Sequence, residues 1–182
     1  AAIEVAGLLD SSISGQVSLV IVFGSFHHRE SFENAVADIR QTLNPEFIIG
    51  VTVESVVGCD LELEGVPGLA AIAMQLPGVT LSPWITSPSN PLPISKPNEI
   101  SAFAQIKDDT KGIFFFADPF STPITRLLPA LVRTAGKGIP IIGGMASGAS
   151  QKGFNRLILN DQLISEGGIG LSISGDVSIE CI

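Results

Sequence analysis

The chain has 182 residues, 45% of them hydrophobic and 15% charged, and its 18 acidic and 10 basic side chains leave a formal net charge of −8. That length suits one good core or two small subdomains sharing one, and the composition excludes a disordered chain. The acidic balance speaks against a nucleic-acid partner, whose phosphates need a basic face, and no apolar run approaches the roughly 20 residues that span a bilayer.

Residues 17–23 (VSLVIVF) form a continuous β-branched run, the pattern of a strand buried on both faces. Ser31 is placed to N-cap the next helix, with Phe32, Val36, Ile39 and Leu43 on one face and Pro45 as its stop. Residues 47–51 (FIIGV) predict a second buried strand. Residues 69–76 and 79–85 read as a hairpin turning at Pro77-Gly78. Residues 83–97 hold five of the twelve prolines and predict an extended, exposed crossover. Lys96-Pro97-Asn98 then opens a short helix with Ile100, Phe103 and Ile106 on one face. The run 113–116 (IFFF) predicts another buried strand. Thr122 caps a helix starting at Pro123, kinked at Pro129 and ended by a left-handed Gly136. Strands follow over 139–142, 157–159 and 167–173.

The two halves share this order of elements. A shift of 93 residues places Val22-Phe23 on Phe115-Phe116, and Ile48-Ile49-Gly50 on Ile141-Ile142-Gly143. A shift of 97 places Leu76-Pro77-Gly78 on Ile173-Ser174-Gly175. The expected fold is α/β, with mixed sheets under covering helices. Internally duplicated β-α-β-β-β units pack as one layered domain. The pseudo-repeats run over about 1–82 and 98–182, with the proline-rich crossover at 83–97 between them.

An open α/β sheet binds ligands beyond the C-terminal ends of its strands. That rule selects Ser25, His27, His28, Thr52, Glu54, Asp118, Gly143, Gly144 and Ser147 as candidate ligand contacts. They supply hydroxyls, carboxylates, both histidines of the chain, and glycines that let a ligand approach the backbone. On an extended chain His27 and His28 point opposite ways, which disfavours a shared metal. The 143–148 segment (GGMASG) lacks the Gly-Lys-Ser/Thr ending of a phosphate loop. Asp118 before Pro119 also reads as a turn residue. Ser147 or Cys59 with His27 or His28 as base gives a hydrolase reading. The neighbouring Asp60 and Glu62 disfavour a Cys59 thiolate, and Ser147 lacks the Gly-x-Ser-x-Gly elbow. A third reading is an interaction scaffold that docks a partner through Trp84 and the proline-rich crossover.

Neither Cys59 nor Cys181 sits in a metal-ligand spacing, and two cysteines in a chain of this size make no disulfide framework, so a reducing compartment is expected. That means the cytoplasm, or an organelle interior after transit-peptide removal. The chain does not begin with Met and ends on an apolar run, 177–182 (VSIECI), so it reads as part of a longer polypeptide. The terminal run is expected to be an uncapped strand edge, carried by Val177, Ile179 and Ile182, that promotes association.

Ser25-Phe26-His27-His28, then residues 50–58 (GVTVESVVG), resembles the opening of FIST N-terminal domains. Glu62-Leu63-Glu64, Pro67-Gly68-Leu69, Asp118-Pro119-Phe120 and the loop 143–148 continue the likeness from about Val17 to Gly175. The resemblance implies a sensory module of signalling proteins that binds a small molecule such as an amino acid or small carboxylate. It implies no cofactor, metal or catalytic residue. Its implied partner is a C-terminal FIST domain or another protein subunit.

Overall fold

The two longest β-branched or aromatic runs each seed a sheet. In the computed structural model, which describes residues 1–58 and 61–180, α1 (Ala2–Ser12) precedes β1 (Leu19–Ser25), a 3-10 turn (Phe26–His28) and α2 (Phe32–Leu43). Next come β2 (Phe47–Val53), β3 (Ser55–Gly58), β4 (Leu61–Glu64), β5 (Leu69–Met74) and β6 (Val79–Thr86). Then follow α3 (Pro97–Phe103), β7 (Thr110–Ala117), α4 (Ile124–Ala135) and β8 (Ile141–Met145). The last strands are β9 (Leu157–Leu159), β10 (Gln162–Ile164) and β11 (Gly168–Gly175). The architecture is α/β with mixed sheets, as the alternation of apolar runs and amphipathic stretches predicts.

The chain forms two compact units. The first comprises Ala1–Leu76 and Ala146–Ser165; the second comprises Pro77–Met145 and the segment from Glu166. In the first unit the strand order is β10-β9-β2-β1-β5, with β1 and β2 parallel and β5 and β9 antiparallel to their neighbours. β3 and β4 make a separate hairpin. Because successive strand residues alternate faces, Val20, Val22 and Ile48 project to one side. There they pack with Ile158 against Ala6 of α1 and Phe32, Val36, Ile39 and Leu43 of α2. Leu19, Ile21, Ile49 and Val51 on the other side are buried too, which is why β1 and β2 read as unbroken apolar runs.

In the second unit the order is β6-β11-β7-β8, with β7 and β8 parallel and β11 antiparallel between β6 and β7. Trp84, Ile113 and Phe115 form a core with Ile100 of α3 and Leu127 and Leu131 of α4. The Trp84 indole stacks on Phe115 at a centroid distance of 5.3 Å and meets Phe103 edge-on at 6.1 Å. β11 makes room for these rings with glycine: a Cβ added at Gly170 would fall within the indole.

Residues 93 apart occupy equivalent rungs of the two parallel ladders, Val22 facing Gly50 and Phe115 facing Gly143. On the antiparallel side Leu19 faces Met74 and Gly112 faces Ile173, so the offset there is 99 residues rather than 97.

Several local expectations change. The 69–76/79–85 hairpin does not form: β5 pairs with β1 in one sheet and β6 with β11 in the other, so Pro77-Gly78 is a connection between sheets. Ser31 is at the N-cap of α2 but makes no capping bond; its hydroxyl donates to the His28 carbonyl. The helix expected from Pro123 begins at Ile124, and the Thr122 hydroxyl donates to the Gly167 carbonyl instead of capping. Gly136 ends it with positive φ but ψ near 170°, outside the left-handed helical region. β8 starts two residues later than 139, and α1 was not foreseen. Trp84 is buried rather than part of an exposed docking segment. Residues 177–180 do not form a strand; the expectation for Ile182 lies outside the described residues, as do those for Cys59, Asp60 and Cys181.

Candidate functional site

Because β1 and β2 run parallel, the loops that follow them meet at one end of the first unit's sheet. Ser25, the last residue of β1, is fully buried. Its Oγ accepts the Gly68 N–H at 2.9 Å and lies 3.4 Å from His27 Nδ1. Thr52 in β2 is equally buried. Its Oγ1 accepts the Arg156 N–H at 2.8 Å and donates to the Arg156 carbonyl at 3.3 Å. A buried hydroxyl deprived of its partners costs about 1–3 kcal/mol, so Ser25 and Thr52 fix the loops that carry the more exposed groups.

Ser147 Oγ accepts the Glu54 N–H at 3.1 Å, and the Gly148 N–H donates to the Thr52 carbonyl at 3.3 Å. Ser147, Glu54 and His27 are exposed and His28 is half-buried. The first unit thus brings Ser25, His27, His28, Thr52, Glu54 and Ser147 to one strand end. The histidines stand in a 3-10 turn, not on the extended chain their sequence suggested. Ser147 Oγ is bonded to the Glu54 N–H, and the hydroxyl beside the His27 ring is that of Ser25, which is buried.

Sequence reasoning missed Arg29, Phe154 and Arg156 at this end and gave Phe26, within the Ser25–His28 segment, no role. The Arg29 guanidinium lies 5.2 Å from the Phe26 ring centroid and 4.8 Å from that of Phe154, and pairs with Glu30 at 2.9 Å. This cation–π bridge ties the turn after β1 to the loop before β9. An available signal was the cation following His27-His28 with an isolated phenylalanine in a polar loop, 150–156. Arg156 Nη1 donates to the carbonyls of Gly153 and Asn155, folding that loop onto itself.

Asp118, Gly143 and Gly144 belong to the second unit. Asp118 is buried; its Oδ2 accepts the Phe120 N–H at 3.1 Å and the Ser121 hydroxyl at 2.6 Å, organising the turn before α4. Ser121 Oγ in turn accepts the Gly167 N–H at 2.8 Å. Gly143 has φ of 150°, and a Cβ there would overlap the Phe115 carbonyl, so close strand approach alone demands glycine. At Gly144 an added Cβ would meet nothing within 4 Å. The second unit also carries a groove of about 480 Å³ between the 86–96 segment and the start of α4. Among the described residues no group of three or more His, Cys, Asp or Glu is placed to hold a metal ion, and no helix is long and apolar enough to cross a membrane.

Comparison with known proteins adds a family. The FIST N domain model matches residues 18–182. Uncharacterized protein Mb0898c of Mycobacterium bovis is 24% identical over 184 residues, covering 96% of this chain and 44% of that protein. Uncharacterized protein MT0656 of Mycobacterium tuberculosis is 24% identical over 170 residues, covering 92% of this chain and 42% of that protein. The chain spans less than half the length of these curated relatives.

Proposed function

Since the chain belongs to the FIST N domain family, a sensory and signal-transduction module, we propose that its first unit binds a small molecule such as an amino acid or small carboxylate. The observation that supports this most is the convergence of His27, Glu54 and Ser147 at the shared end of β1 and β2, on loops fixed by the buried Ser25 and Thr52. A histidine, a carboxylate and a hydroxyl can together recognise the ammonium, carboxylate and polar side chain of an amino acid. Fixed supporting loops lower the ordering cost of binding.

The test is a thermal-shift screen of the 182-residue chain against amino acids and small dicarboxylates. A ligand at about a hundred times its Kd adds about 2.7 kcal/mol, which raises the midpoint by about 5–10 °C for a chain of this size. Glu54→Gln and His27→Ala should each weaken the shift while leaving the unliganded midpoint nearly unchanged, because both side chains are exposed. No stabilising compound, or equal affinity in both variants, overturns the proposal.

A further inference from the structure

The second unit's groove continues along α4. A second depression of about 300 Å³, bordered by Thr125, Arg126, Pro129 and Arg133, shares Ile94 and Ser95 with the first. The two adjoin at these residues, and we treat them as one trough between the 86–96 segment and α4. The first part is mainly apolar and holds Pro88, Pro91, Pro93 and Pro123; the second holds Pro129 and is more polar, because its border carries the two arginines.

Two features select the occupant. Polar groups on the floor are already engaged by the protein's own backbone. Thr86 Oγ1 accepts the Leu92 N–H, Thr122 donates to the Gly167 carbonyl, and Ser121 accepts the Gly167 N–H. A small polar ligand would find few buried donors there, whereas an extended peptide needs apolar walls and charged rims. The rim supplies the charge. Arg126 and Arg133 lie seven residues apart, about two helical turns, so both flank Pro129 on one side of α4. Both are exposed and, among the described residues, neither makes an ion pair. α4 carries no acidic residue although the chain has a net charge of −8. The acid on the rim, Glu99, is paired with Lys96 at 2.7 Å.

The geometry points to this trough as a docking site for an extended acidic and apolar peptide segment of a protein partner, with Arg126 and Arg133 as the charge-reading residues. The site is separate from the proposed small-molecule site of the first unit, and either can stand without the other. Complementary rim charges give such docking orientation, specificity and salt dependence.

The test is selection of a random peptide library displayed on phage against the full chain and against Arg126→Glu/Arg133→Glu. The wild-type chain should enrich peptides with Asp or Glu beside Leu, Ile or Pro, and the variant should not. A labelled winning peptide should lose about tenfold or more in affinity for the variant, and weaken as salt rises. It should also shift amide resonances within 86–96 and 121–133. Trp84 fluorescence checks that the variant is folded, and Arg126→Gln/Arg133→Gln should give an intermediate loss. Absence of enrichment, enrichment without acidic bias, or equal binding to the charge-reversed chain would sink the proposal. A concentration-dependent dimer abolished by the same variant would assign the trough to a second copy. Resonance shifts produced by citrate but not by the selected peptide would assign it to a small anion. Either of these outcomes also overturns the peptide site.

Discussion

Gly170 and Ser172 lie two apart on the face of β11 that meets the single tryptophan. Ser172 Oγ accepts the Trp84 Nε1–H at 3.4 Å and donates to the Ala104 carbonyl at 2.5 Å, so one hydroxyl serves two buried groups. Ser172→Ala leaves both without that partner and should cost about 1–3 kcal/mol in chemical unfolding, with a shift in Trp84 emission. Gly170→Ala should cost more than Ser172→Ala, because its methyl group competes with the indole for the same space and overpacking alone costs about 1–3 kcal/mol. Equal stability of Gly170→Ala and the wild type would show that the ring shifts freely. Little of this was legible beforehand. Trp84 stands among prolines and looks like part of an exposed strap; its burial depends on glycines more than eighty residues later in the chain.

α1 packs Ala6 into the first core, with Ala2, Leu9 and Ile13 half-buried around it, yet it lies before residue 18, where the family match begins. Removing residues 1–13 should lower stability by about 1–3 kcal/mol, since the half-buried Leu9 and Ile13 each contribute part of the roughly 1.5–3 kcal/mol of a fully buried aliphatic side chain and Ala6 adds its methyl group; urea unfolding measures it. An unchanged midpoint would show that the helix is dispensable. Strands with buried faces on both sides were readable, because β1, β2 and β7 are continuous apolar runs and α2 has one clean stripe. Pairing partners were not readable. β5 and β6 are neighbours in sequence joined by Pro-Gly, and only long-range contacts send them to different sheets. The candidate site was legible at Ser25, Thr52, Glu54 and Ser147, which the strand-end rule selects, but not at Arg29 and Phe154, which meet across a loop whose course the sequence does not disclose. The shared 93-residue register of the two parallel ladders supports the internal duplication, which we infer as a proposal. Superposing β2, β1 and β5 of the five-stranded sheet on β8, β7 and β11 of the four-stranded sheet would check it.

At the scale of the molecule, each unit is built from two separate stretches of chain. A fragment of residues 1–82 therefore lacks β9, the strand that pairs with β2 opposite β1, and leaves that edge open. Such a fragment should show no cooperative thermal transition and should aggregate, in contrast with the full chain; a sharp transition in circular dichroism would show that the first unit is self-sufficient without β9. The same connectivity sets a timetable. On a ribosome, α1, β1, α2 and β2 emerge early, but Val51 must wait for Leu157 and Ile49 for Leu159. At about 5–20 residues per second the delay is on the order of ten seconds, and the second unit's first three strands are made in that interval. The unit that begins first is the one that closes late, and through that interval its β2 edge is a waiting surface that a chaperone can guard or a neighbouring nascent chain can capture.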